Sequence, residues 1–274
     1  MSSLALSFEP QTQTLMTRPL SRAPLHSSRL VRFLTENDMS DAARDTYDVG
    51  QKLGDWLNFR HAIALHGVLN PELQLQPSPA NTRRAALMTA EALSRHVNKI
   101  RSQLEQSIVE GAPPGSGLAR IDMPPAELDE PIDPKTAFTT YRRFYAAQQR
   151  QMEATLQNLR TQVRAQLRKS SSALQQLAAL DEAFEATLSE REAALLANVP
   201  KLHEKRFVQA VKRHTKKQAE ATAAAEIAMD VRQSAWLMPL RQALRTALLA
   251  ELDTRMQPTL GLLEAFNLEH AQQQ

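Results

Sequence analysis

Between Phe138 and Phe266 the chain holds a single glycine, Gly261, and no cysteine, while apolar residues recur at helical spacing along the stretch. So long a run without turn-forming glycine leaves few folds open: it must be long amphipathic helices packed along their apolar stripes. Over all 274 residues there are seven glycines, and the good helix formers Ala, Leu, Gln, Arg and Glu dominate. The expected fold is all-α, an antiparallel bundle of long amphipathic helices with a smaller N-terminal helical part. The chain is long enough to bury a core as one domain or as two modest ones.

Two proline-rich interruptions, 71–79 and 111–134, divide the chain. The second carries Pro113, Pro114, Pro124, Pro125, Pro131 and Pro134. Its acids Asp122, Glu127, Asp129, Glu130 and Asp133 face only Arg120, which predicts an extended, solvated linker. The other reading is a strap that docks on a basic surface. The first 34 residues carry Arg18, Arg22, Arg29 and Arg32 with one acid, Glu9, a loose imitation of a transit peptide. Pro10, Pro19 and Pro24 favour a disordered leader, and no apolar run suggests a secretory signal. The expected division is a leader over 1–27, an N-terminal helical domain over 28–110, the linker over 111–134, the bundle over 135–268 and a tail over 269–274.

Within the N-terminal part, helices are predicted over about 28–35, 44–58 and 62–69, the second with Val49, Leu53, Trp56 and Leu57 on one face. Asn81 or Thr82 is expected to cap a helix reaching about Glu110, with Leu93, Val97, Ile100, Leu104 and Ile108 as its core stripe. After the linker, Asp133 as cap and Pro134 in the first turn suit a helix to about Lys169, roughly 50 Å long, whose apolar positions fall at coiled-coil-like spacings. Ser170, Ser171 and Ser172 break it, and so short a turn implies that the next helix packs back antiparallel until Pro200 interrupts. A helix from Lys201 is expected to run through the alanine-rich stretch 219–228 to about Arg232. Ser234 then caps another with a seam from Leu237 to Met256, and Pro258 restarts a last short helix holding Leu260, Leu263 and Phe266.

The search for chemistry returns absences. There is no GxxxxGK[ST] loop, no GxGxxG after a strand, no GxSxG elbow and no HExxH pair. Without cysteine, disulfides, thiolate catalysis and cysteine-ligated metals are excluded. Of the seven histidines none lies four from another, and His203 and His214, on one helix face, stand about 16 Å apart, too far to share an ion. Surface or capping roles are expected for all seven. Glu251 with Asp253, and Glu190 with Glu192, are two apart and so point to different faces. Asp181, Glu182 and Glu185 share part of a face, which solvated helix charge explains. The sequence therefore predicts a protein that is not an enzyme and that uses no cofactor and no metal. No segment reaches the roughly 18 to 20 consecutive apolar residues that span a bilayer.

One segment stands apart. From Lys201 to Lys217 the helix carries Lys201, Lys205, Arg206, Lys212, Arg213, Lys216 and Lys217 against Glu204. At 100° per residue, Lys201, Lys205, Lys212 and Lys216 fall within about 60° of arc, Arg206, Arg213 and Lys217 flank them, and Phe207, Val208 and Val211 lie opposite. Such a face can be simply solvated, or it can meet an acidic protein segment, nucleic-acid phosphates or an anionic membrane surface. The chain's 33 basic and 30 acidic residues are nearly balanced, and no aromatic residues interleave the cations, so nucleic acid is the weaker partner.

The strings YRRFYAAQQRQMEATLQNLRTQVR (Tyr141 to Arg164), SEREAALLANVPKLHEKRF (Ser189 to Phe207), LLAELDTRMQPTLGLLEAF (Leu248 to Phe266) and WLNFRHAIALHGVL (Trp56 to Leu69) resemble a bacterial family classified as domain of unknown function 3348. The resemblance spans most of the chain and transfers no catalytic residue. It implies a proteobacterial, cytoplasmic protein encoded beside membrane proteins of the MotA and MotB or OmpA type, and the expected location is cytoplasmic or peripheral to the inner membrane. The function expected from residues and resemblance together is a helical adaptor or scaffold with a protein partner or self-association, the alternative being phosphate binding through 201–217.

Overall fold

The computed structural model describes residues 28–37, 54–70, 87–126, 128, 132–133, 136–222 and 236–272. Among these it is all-helical: α1 (Arg29–Glu36), α2 (Phe59–Leu69), α3 (Ala90–Val109), α4 (Thr139–Leu167), α5 (Ser172–Leu196), α6 (Val199–Thr222) and α7 (Met238–Gln272). The expected leader, most of the helix predicted over 44–58, the caps at Asn81 or Thr82 and at Ser234, and the alanine-rich run beyond Thr222 lie outside the described residues.

Local chemistry sets the ends. Residues 87–89 are not helical, and α3 starts where the Thr89 hydroxyl accepts the Ala92 N–H at 3.2 Å, so its cap is Thr89 rather than Asn81 or Thr82. At its far end Gly111 takes φ 101°, the left-handed turn that glycine adopts without steric cost after a helix. Asp133 does not cap α4. Its carbonyl accepts from Thr136 and Ala137 at 3.3 and 3.0 Å, closing a turn that precedes a helix beginning only at Thr139. The serine turn holds as read, with the Ser171 hydroxyl accepting the Leu174 N–H at 3.3 Å. Pro200 opens α6 instead of closing α5, because its missing N–H would be unpaired in a first turn anyway. Pro258 likewise ends nothing: α7 runs for 35 residues straight through it and into the expected tail.

α4 and α7 form the centre. Tyr145 meets Glu251 and Ser171 meets Glu269, so these two helices run in the same direction. Around them the neighbours run the other way. In α3, His96 meets Gln162 and Ser107 meets Gln148 and Gln151 of α4, while Ser94 meets Asn267 of α7. α5 pairs with the later part of α4, where Arg160 meets Asp181, and α6 continues along the earlier part, where Phe138 packs on Phe207. α1 lies across α7, and α2 lies outside α5, with Trp56 over the Arg191 guanidinium and the Val68 carbonyl accepting from Gln176. One core joins these layers, from Leu93, Val97, Leu104 and Ile108 of α3 to Met152, Leu159 and Val163 of α4 and Leu244, Leu248 and Phe266 of α7. α5 is half-buried along much of its length because α2 covers one flank. Leu195, expected on its seam, is 62% exposed.

Residues 111–126, read from the sequence as a solvated spacer, lie instead against the bundle. Leu118, Ile121 and Met123 pack on the core, the Ala119 N–H donates to Gln151 Oε1 at 2.7 Å, and the Tyr141 hydroxyl donates to the Pro125 carbonyl at 2.6 Å. Alternating apolar residues inside an acidic, proline-rich stretch give it an inner edge that charge counting overlooks. Tyr141→Phe removes the phenolic donor and leaves the Pro125 carbonyl short of a partner. The expected loss is about 1 kcal/mol in urea unfolding, with faster tryptic cleavage after Arg120; an unchanged digestion rate would contradict the strap's dependence on Tyr141.

Candidate functional site

The basic helix forms as predicted, but it divides its seven cations. Phe207 and Val211 are buried and hold α6 to the bundle. Lys201, Lys205, Lys212 and Lys216 point to solvent, Lys201 donating to Asn198 Oδ1 at 3.0 Å and Lys216 standing 3.9 Å from Glu220. The three flanking cations do something different. Arg206, Arg213 and Lys217 line a groove of about 480 Å³ between α6 and the start of α7. Its floor is apolar, made by Ala210, Trp236, Pro239, Leu240 and Ala243. Arg206 donates to Asn37 Oδ1 at 2.8 Å, which ties the C-terminal end of α1 to the groove wall. The Trp236 ring stacks on His214 at 4.7 Å between centroids and packs against Phe207 at 6.2 Å. Sequence reasoning placed the cations on one helix and missed the groove, because the floor comes from a segment beyond the alanine-rich run.

A second polar centre lies inside the bundle. Glu251 is fully buried between α4 and α7. Its carboxylate accepts from the Tyr145 hydroxyl at 3.1 Å, from Gln149 Nε2 at 3.0 and 3.1 Å, and from Arg255 Nε at 3.0 Å. Arg255 stands 3.6 Å from Glu192 as well. Burial outweighs these donors and raises the Glu251 carboxyl above the ordinary glutamate range, and burial raises the Tyr145 hydroxyl well above its own. The spacing carried a signal: Glu251 follows Leu244 by seven and Leu248 by three, which puts it on the apolar seam.

His203 is the other correction. Expected in a surface or capping role, it is fully buried between Phe33 and Tyr145, with ring centroids at 6.1 and 5.9 Å, and neither ring nitrogen has a hydrogen-bond partner among the described residues. Burial, assisted by the Arg206 charge, lowers it to about 4. His203 lies four residues before Phe207, so helical spacing already placed it on the apolar face.

Asp181 and Glu185 are not solvated charge either. Arg160 donates to both Asp181 oxygens at 2.6 and 2.8 Å, and Arg164, itself buried, pairs with Glu185. Beside them a cleft of about 470 Å³ is bordered by Arg160, Glu192 and Arg255, each engaged in an ion pair. Among the described residues no group of three His, Asp or Glu side chains is placed to hold a metal ion, and no helix is long and apolar enough to cross a membrane.

Among the described residues the architecture is that of an all-helical protein built on two long parallel helices, with a buried polar centre at Glu251 and a cationic groove between α6 and α7. The chain belongs to the family described as "Protein of unknown function (DUF3348)", whose model matches residues 16–268. No curated protein and no solved structure matches it.

The two buried ionisable groups act on stability with opposite signs. A histidine lowered from 6.5 to about 4 binds its proton more tightly in the unfolded chain, so its contribution is full above the ordinary value and is lost as pH falls to about 4. That loss is on the order of 3 kcal/mol. A carboxyl raised by burial binds its proton more tightly in the folded chain, so its contribution is full below the ordinary glutamate range and is lost as pH rises through the raised value. Urea unfolding followed across pH is expected to lose the decline on falling pH in His203→Leu and the decline on rising pH above the ordinary glutamate range in Glu251→Gln. Profiles parallel to the wild type in both variants would contradict the assignment.

Proposed function

We propose that the protein is a non-enzymatic helical adaptor or scaffold that works by associating with protein through its outer faces. The observation that supports this best is α2, an apolar helix held on the outside of α5 with none of its side chains buried. Phe59 is 83% exposed, and Ile63 and Leu69 are each 57% exposed. Large apolar side chains grouped on one exposed helix are covered when a partner binds. The interior offers a contrast, since Glu251, Arg255, Arg160 and Arg164 are engaged by neighbouring side chains. The family resemblance supports a cytoplasmic place beside the inner membrane, as accessory of an envelope assembly of the MotA and MotB or OmpA kind.

Light scattering during size exclusion, together with capture from a bacterial lysate, tests this reading. Self-association or a captured protein is expected, and Phe59→Ser/Ile63→Ser is expected to reduce it. A strict monomer that captures nothing would remove the reading.

The second reading is a nucleic-acid-associated protein that binds phosphates through the basic helix 201–217 of α6, favoured by the solvent-facing row Lys201, Lys205, Lys212 and Lys216. Changing those four lysines together to glutamate is expected to abolish DNA or RNA binding and its salt dependence. Binding indifferent to the change would exclude it.

A further inference from the structure

The groove between α6 and α7 differs from the ion-paired centres of the bundle. Arg101, Arg160, Arg164 and Arg255 each meet a carboxylate. Among the described residues no carboxylate lines the groove, and Arg213 and Lys217 have no ion-pair partner. Arg206 is half-buried there and is met by the neutral amide of Asn37. The three cations recur at i, i+7 and i+11 on α6, one edge of a helix, and border a floor that is apolar. That floor is built in advance, because Trp236 is held between His214 and Phe207 and need not be ordered by a ligand.

We infer that this groove docks an acidic amphipathic helix of a partner protein. Its apolar residues seat on Trp236, Leu240 and Ala243, and its carboxylates meet Arg206, Arg213 and Lys217. The inference rests on the adaptor reading and supplies the chemistry of one partner. An apolar floor with a charged border of a single sign is the arrangement that helix-in-groove recognition uses. A phosphate backbone would leave the floor unused, and the Trp236 face that stacking would need is already taken on one side by His214. A flat lipid surface cannot follow a concavity set between two helices.

The test uses the full chain and a synthetic fluorescent peptide with leucine along one helical face and glutamate elsewhere, read by anisotropy. One control peptide replaces glutamate by lysine and the other replaces leucine by serine. The wild-type protein is expected to bind the first peptide and neither control. Arg213→Glu/Lys217→Glu, at exposed positions, is expected to weaken binding at least about tenfold. Ala243→Glu, which puts a carboxylate on the floor, is expected to do the same, whereas Lys201→Glu/Lys205→Glu, away from the groove, leaves affinity unchanged. The inference is overturned if the peptide does not bind, if the serine control binds equally, if the Lys201/Lys205 variant loses as much as the groove variants, or if a DNA duplex or vesicles of anionic phospholipid bind more tightly with the same mutational pattern. A protein captured equally by wild type and by Arg213→Glu/Lys217→Glu would overturn the groove and leave the adaptor reading standing.

Discussion

The placement of Glu251 decides how the two central helices lie against each other. α4 and α7 are parallel and far apart in sequence, so no short turn holds them in register and side chains must do it. A purely leucine-lined seam tolerates sliding, since one apolar contact replaces another. A buried carboxylate that receives Tyr145 and Gln149 of α4 does not, because any shift leaves those polar groups unpaired away from water, whereas Arg255, one turn along α7, moves with it. The same carboxylate reaches beyond the pair. Gln149 also donates to the Leu196 carbonyl at the end of α5, and Arg255 reaches Glu192. Three helices are thus set relative to one another at a single depth in the bundle.

From that arrangement the outer features follow. With α5 and α6 laid end to end along α4, the basic helix comes to rest beside the first turns of α7, and the space between them becomes the groove. α1 closes the same region from above: Phe33 covers His203, and one turn later Asn37 takes the Arg206 guanidinium. The buried histidine and the cationic groove are therefore two sides of one short contact. Neutral His203 suits its apolar cage, and the nearby Arg206 charge adds to the cost of protonating it.

Periodicity made most of the fold legible. The stripes of α3 and α4 are buried as their spacing requires, and the serine turn reverses the chain where three serines interrupt the apolar pattern. Proline was the poorer guide. Pro200 and Pro258 looked like breaks, yet one sits in a first turn, where no hydrogen bond is lost, and the other is carried by a helix anchored on both sides by Met256, Leu262 and Phe266. For buried polar residues, position along the helix decides burial over residue type. Glu251 and His203 both fall on apolar faces by counting. The groove lay beyond sequence reading for another reason: its wall and floor come from three elements whose meeting is set by packing alone.

The strap over 111–126 has a consequence for range. A loose acidic tether would let the N-terminal helices search a volume around the bundle and carry a bound molecule with them. With Leu118, Ile121 and Met123 seated on the core and the Pro125 carbonyl held by Tyr141, that freedom is gone. α3 and α4 are tied by the strap as well as by their own contacts. Under the adaptor reading proposed above, the bundle sets the spacing between a molecule docked at α2 and one docked at the groove, as a ruler does rather than a leash.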